Sequence, residues 1–123
     1  MENPKTPSVE QILKMMAENL GEEPTPMVLM SKINPEWIPK QAQERKFVFD
    51  LPHIPNKYKH LIMIAAAAAA NSHLCTETFI KIAHRSGVTK EEIGEALLAA
   101  RFALASTIFA TALEGLEYLV DGA

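Results

Sequence analysis

The stretch Asn56-Lys57-Tyr58-Lys59-His60-Leu61-Ile62-Met63-Ile64, followed by six consecutive alanines from Ala65 to Ala70, decides the reading of this chain. Alanine has the highest intrinsic helix propensity and the smallest side chain. The segment reads as a helix with methyl groups on every face, open to close approach by neighbours on several sides. It is expected to be the central, most buried helix. Pro52 and Pro55 bias their predecessors away from helix, so residues 51–55 form the loop that precedes it. Asn71-Ser72 closes the alanine run with two good N-cap residues.

Downstream, a helix is expected over about residues 73–86, stopped by Gly87, with Lys81, His84 and Arg85 near its negative end. Val88 is the apolar residue that often follows a glycine cap. Thr89 and Glu92 make a capping box, and Ile93, Ala96, Leu97, Ala100 and Leu104 continue at helical spacing. The pattern runs on through Ile108, Ala112, Leu116 and Leu119, with a break expected near Ser106-Thr107. Upstream, Ser8 and Gln11 make a second capping box before the stripe Ile12, Leu13, Met16 and Leu20, which Gly21 ends. Residues 22–26 read as a linker and residues 27–33 as a brief apolar helix or turn. Asn34-Pro35 has the form of an N-cap and first helical residue for a helix running toward Phe49, with Pro39 in its first turn. Trp37, Phe47, Val48 and Phe49 supply bulk for a core or an oligomer contact. No segment alternates with a period of two, so the fold class is all-α, a bundle of about six helices.

Composition narrows the function. At 123 residues the chain is one domain, and its 48% hydrophobic and 22% charged residues are those of a globular protein rather than a disordered one. A net charge of -3 gives no electrostatic reason to expect nucleic acid or an anionic membrane as partner. One cysteine excludes an intramolecular disulfide, and with no basic-then-apolar leader pattern the expected location is cytoplasmic. The apolar run 61–70 is short of the ~20 residues a membrane span needs. The longer stretch 96–113 carries Arg101. There is no Gly-rich phosphate loop, no HExxH, no paired CxxC and no nucleophile elbow, so no cofactor or metal is expected.

Cys75 is the chemically distinctive residue. If Ser72 caps its helix, the thiol falls at the third helical position, near unpaired backbone N–H groups that favour a thiolate. The plain alternative is a small buried hydrophobe, as most free cysteines are. Ser72, Cys75 and Phe79 share one face at three- and four-residue spacing, which would set a hydroxyl, a thiol and a ring in one pocket wall. His73, Glu77 and His84 share another face, read as solvated in preference to a metal strip. His60, in an otherwise apolar helix start, is either a satisfied core residue or a proton carrier.

The order of segments resembles a known family. Residues 54–62, the alanine-rich helix, Ser72-x-x-Cys75-x-x-x-Phe79 and Gly87-Val88-Thr89-Lys90-Glu91-Glu92-Ile93 together are similar to the carboxymuconolactone decarboxylase and AhpD-like alkylhydroperoxidase family. The likeness covers about residues 47–118, with residues 1–46 as an N-terminal helical extension. That family's pattern is a Lys-x-x-Glu-Leu helix start, a Cys-x-x-Cys-x-x-x-His motif twelve residues after the Glu, and a Gly-x-Thr-x-Glu-Glu-Ile turn. Carried over by position, the glutamate is His60, the first cysteine Ser72, the second Cys75, the histidine Phe79, and a relay histidine of some members Leu74. Only Cys75 is retained. A serine cannot resolve a sulfenic acid into a disulfide, so the two-cysteine cycle is unavailable within this site.

The resemblance implies helical protomers assembled as trimers or hexamers, acting on a small molecule such as a peroxide or a small carboxylate. The expected catalytic residues are Cys75, His60 and Ser72, in a pocket lined by Tyr58, Leu74 and Phe79. Three activities follow as expectations. One is a single-cysteine thiol peroxidase at Cys75. The second is lyase-type proton transfer on a carboxylate or lactone through His60, and the third a non-catalytic member that keeps the fold.

Overall fold

The structure, a computed structural model, describes residues 6–122. Residues 1–5 of the expected N-terminal extension and Ala123 lie outside the described residues. Within them are seven helices and no strand: α1 Val9–Leu20, α2 Thr25–Ile33, α3 Trp37–Asp50, α4 Asn56–Ala69, α5 His73–Arg85, α6 Lys90–Thr111 and α7 Leu113–Asp121. The all-α reading holds, and the count exceeds the expected six.

Both capping boxes form. The Ser8 hydroxyl accepts from the Gln11 amide at 3.1 Å while Gln11 accepts from the Ser8 amide at 2.8 Å, and Thr89 and Glu92 reciprocate at 3.1 and 2.9 Å. Gly21 ends α1 in the left-handed region, at φ 88°. A side chain there would also collide with the Arg85 guanidinium, whose Nη2 donates to the Glu18 carbonyl at 3.1 Å and docks α1 on α5.

Three boundaries differ from expectation. Helix α2 begins at Thr25, inside the expected linker, because Pro24 occupies its N-cap and Pro26 its first turn, where no amide hydrogen is required. Asn34 closes α2 instead of opening α3, which starts at Trp37 after a turn in which the Trp37 amide donates to the Asn34 carbonyl. No break occurs at Ser106-Thr107. Their hydroxyls donate to the carbonyls of Phe102 and Leu104, so α6 absorbs them and runs to Thr111.

The core sits where α4, α5 and the first half of α6 meet. Ile64, Ala83, Val88 and Ile93 form it, with Leu61, Phe79, Ile80 and Leu97 packed around them. Helix α4 is central, as expected, but it is covered on one side only. Ile64 and Ala67 face inward, while Tyr58, Ile62, Ala66 and Ala69 remain exposed. Phe47, read as bulk for a core or an oligomer contact, is exposed, and so are Ile108, Leu116 and Leu119 of the C-terminal stripe. From residue 101 to residue 122 every side chain is exposed. Helix α6 is long and apolar enough, by length and composition, to cross a membrane.

Candidate functional site

The junction of α4 and α5 positions the candidate thiol. Asn71 takes a left-handed conformation, φ 61°, which asparagine tolerates better than most residues, and so the chain reverses there. The Asn71 and Ser72 amides donate back to the carbonyls of Ala68 and Ala67, both at 3.0 Å, which ties the turn to the end of α4. Ser72 is the N-cap of α5 in extended geometry, yet its side chain makes no capping hydrogen bond. The cap position is as expected and the cap bond is not made. The Ser72 carbonyl is engaged instead, accepting from the Thr76 hydroxyl at 2.6 Å. Cys75 is the third residue of α5, and it is exposed.

An open concavity of ≈ 550 Å³ adjoins this turn, lined by Asn71, Ser72, Thr76, Glu77 and Lys81 among others. Cys75 is not part of its lining. The expected wall of Ser72, Cys75 and Phe79 is therefore divided. Ser72 borders the concavity, Phe79 packs on the core, and Cys75 is exposed outside the concavity's lining. The separation follows from the helix itself, since Cys75 and the concavity's Thr76 and Ile80 lie on different sides of α5. Leu74 and Tyr58, expected as pocket residues, are both exposed on the protomer.

His60 has a quite different environment. It is 9% exposed, and its ring centroid lies 4.9 Å from that of Phe49, with the planes tilted by 52°. The Arg45 guanidinium carbon lies 4.3 Å from the Phe49 centroid. Burial first, and then the positive charge of Arg45, push the His60 imidazole below its usual value. A neutral ring is thus favoured at neutral pH, so His60 can carry a proton but lends no cationic field to a nearby thiolate. Lys59 holds this arrangement together. It is itself buried, and its ammonium donates to the carbonyls of Val48 at 2.8 Å and Leu51 at 2.7 Å, satisfying the open end of α3 and fixing it to α4.

Arg45, Phe49 and Lys59 were not singled out for these roles by sequence reasoning. The signal was present in part: Arg45 and Phe49 stand four residues apart on α3, the spacing that places a guanidinium over a ring. On the outer strip of α5, Glu77 pairs with Lys81 at 2.7 Å, and Lys81 also reaches Glu22 at 3.1 Å. These lysine contacts hold the Glu77 carboxyl below the usual carboxylate range. Among the described residues no three His, Cys, Asp or Glu side chains converge on a point where a metal ion could sit.

Comparison with known proteins follows the same outline. No curated protein matches the chain. The model of the carboxymuconolactone decarboxylase family matches residues 42–118. That span opens within α3, just ahead of the Arg45–Phe49–His60 cluster, takes in the whole α4–α5–α6 core with Ser72 and Cys75 at its turn, and closes within α7. By this match the chain belongs to the carboxymuconolactone decarboxylase family.

Proposed function

We propose that this protein is a single-cysteine thiol peroxidase of its family, with Cys75 as the reacting group. The observation that carries the reading is the setting of the sulfur. It is solvent-accessible on the first turn of α5, where the Ser72 side chain leaves the backbone amides uncapped. Open amides at a helix amino end favour an anion, whether a thiolate or the sulfenate that follows it.

In the proposed cycle the Cys75 thiolate attacks the terminal oxygen of a hydroperoxide. An S–O bond forms as the O–O bond breaks, the sulfur takes up the OH group and is oxidised to a sulfenic acid, and the departing alkoxide takes a proton from water, leaving hydroxide. Ser72 cannot resolve the product, so an external thiol does. The first thiol displaces water and leaves a mixed disulfide on Cys75, and a second thiol releases the reduced enzyme and a small disulfide. The reductant is therefore a low-molecular-weight or protein dithiol that approaches the open end of α5.

A second reading, lyase-type proton transfer, draws support from His60, whose neutral imidazole is a competent proton acceptor. Its enclosure beneath Phe49 makes it the weaker candidate. The readings separate in one comparison. Brief exposure to limiting peroxide should add one oxygen atom to the intact mass of the wild type and none to Cys75→Ser, with a dimedone adduct in the wild type alone. The adduct matters because the chain has six methionines that can also take up oxygen. Equal oxidation of both proteins, with no adduct, would remove the peroxidase reading. Turnover of a lactone or keto acid that survives Cys75→Ser and is lost in His60→Ala would establish the lyase in its place.

A further inference from the structure

Charge is unevenly distributed along the chain. Residues 40–60 hold five basic side chains against two acidic ones, whereas the rest of the sequence holds seven against thirteen. An acidic protein thus carries one basic segment, which takes in most of α3, the loop after it and the start of α4. Several of its cations are already engaged. Lys46 pairs with Asp50, Lys57 pairs with Glu92 at 2.8 Å, and Lys59 is held by the Val48 and Leu51 carbonyls. Lys40 is exposed to water.

Arg45 is different. It is half-buried, and among the described residues it makes no hydrogen bond and no ion pair. Burial alone pushes its guanidinium below the usual value, with no carboxylate acting against it. The sequence accounts for this. Three and four residues to either side of Arg45 on α3 stand Gln41, Ala42, Val48 and Phe49, and none of them is acidic. Taking a cation even partly out of water without a counter-charge is costly, and the Phe49 ring at 4.3 Å offsets only a part of that cost.

His60 borders the same ring, with centroids 4.9 Å apart. It is nine-tenths buried and hydrogen-bonds to no described residue. Among the described residues no fully sealed side-chain nitrogen or oxygen lacks a partner, so the His60 nitrogens keep an opening to solvent. Two unpartnered nitrogen-bearing side chains therefore lie against one ring, within the basic segment.

We propose that this cluster is a phosphoryl-anion site, in which Arg45 takes free phosphate or the phosphate of a small monoester. The fork of donors on a guanidinium matches the oxygens of such a group. The surplus of positive charge in the segment favours a dianion over a singly charged carboxylate. One free guanidinium is no track for a nucleic acid, which needs several cations along its backbone. The site uses neither Cys75 nor the concavity beside α5, so it stands or falls apart from the peroxidase reading.

Titration calorimetry at constant ionic strength, with chloride as the background anion, tests it with inorganic phosphate, glycerol 3-phosphate and acetate. One saturable site per chain is expected for inorganic phosphate, for the ester or for both, and this result tells the free anion from the ester as occupant. Acetate should bind more weakly. Arg45→Gln should weaken the phosphate binding roughly 10- to 100-fold, the worth of a hydrogen bond to a charged group. Lys14→Gln, at an exposed position on α1, should leave it unchanged. Failure of both phosphates to saturate, equal binding by Arg45→Gln or a preference for acetate would overturn the proposal. Should Arg45→Gln unfold, the imidazole NMR signals of the wild type decide. Phosphate should move those of His60 and leave those of the exposed His53, His73 and His84 in place. Signals that move at the exposed histidines as much as at His60 would count against the site.

Discussion

Helix α6 has two halves with opposite fates. Residues 90–100 carry Ile93 and Leu97 into the core against α4, whereas residues 101–111 are exposed throughout. The two halves do not differ in helix propensity or in apolar content enough to account for this. Ile93 is buried and Ile108 is bare, although each is an isoleucine in the same continuous helix. The difference lies in the available neighbours, since α4 packs on the first half while the second half stays exposed. Apolar character in a small helical chain specifies that a surface is to be covered, and leaves open which chain covers it.

That contrast can be broken or sharpened by mutation. The largest effect is expected in the packed region. Ile64→Ala, at a fully buried position, should cost about 3 kcal/mol in urea unfolding, as large-to-small core changes do. Ile108→Ala, measured dilute enough to be monomeric, should leave unfolding unchanged, and an equal cost at both positions would erase the distinction between the halves. Next comes Lys59→Met, which strips the donor from the Val48 and Leu51 carbonyls. A loss of about 1–3 kcal/mol is expected from leaving such groups unsatisfied, and a neutral result would mean that water replaces the ammonium. Thr89→Ala should cost about 1 kcal/mol by removing the N-cap of the packed half of α6. Retained stability there would show that the exposed half, rather than the cap, anchors the helix.

The smallest expected effect is a pH dependence at His60. Its folded value lies below the ordinary one of about 6.5, so as pH falls through that value the unfolded chain takes up a proton that the folded chain resists. The stabilisation is present above about pH 6.5 and is lost progressively below it. Between about pH 7.5 and pH 5.5 the Tm of the wild type should fall more than that of His60→Gln. Glu77 and Glu92, held below the usual carboxylate range by Lys81 and Lys57, titrate under that window. Parallel Tm profiles would show that His60 is no more enclosed than a surface histidine.

The helices were legible in the sequence wherever local chemistry sets them. Ser8 with Gln11, Thr89 with Glu92, and the left-handed Gly21 and Gly87 all follow from backbone groups that must be satisfied within a few residues. The reading of Asn34 failed because the residue suits either end of a helix, and its amide is used to close α2. The break assigned to Ser106-Thr107 failed because both hydroxyls found carbonyls one turn back. At the candidate site, spacing placed Cys75 correctly on the first turn of α5. It could not tell that the concavity lies on another side of that helix, because the direction of a face depends on which neighbours cover it. The tilted ring contact of Phe49 with His60 crosses from α3 to α4, and no pattern within one element encodes it.

Hydrogen–deuterium exchange on the wild type and on Phe102→Glu/Phe109→Glu tests the two-halves distinction most directly. Amides of residues 90–100 should be equally protected in both proteins, while those of residues 101–121 should be protected in the wild type and lose that protection in the variant. Protection of residues 101–121 that persists in a monomeric variant would contradict the distinction, because that segment would then be held by its own chain.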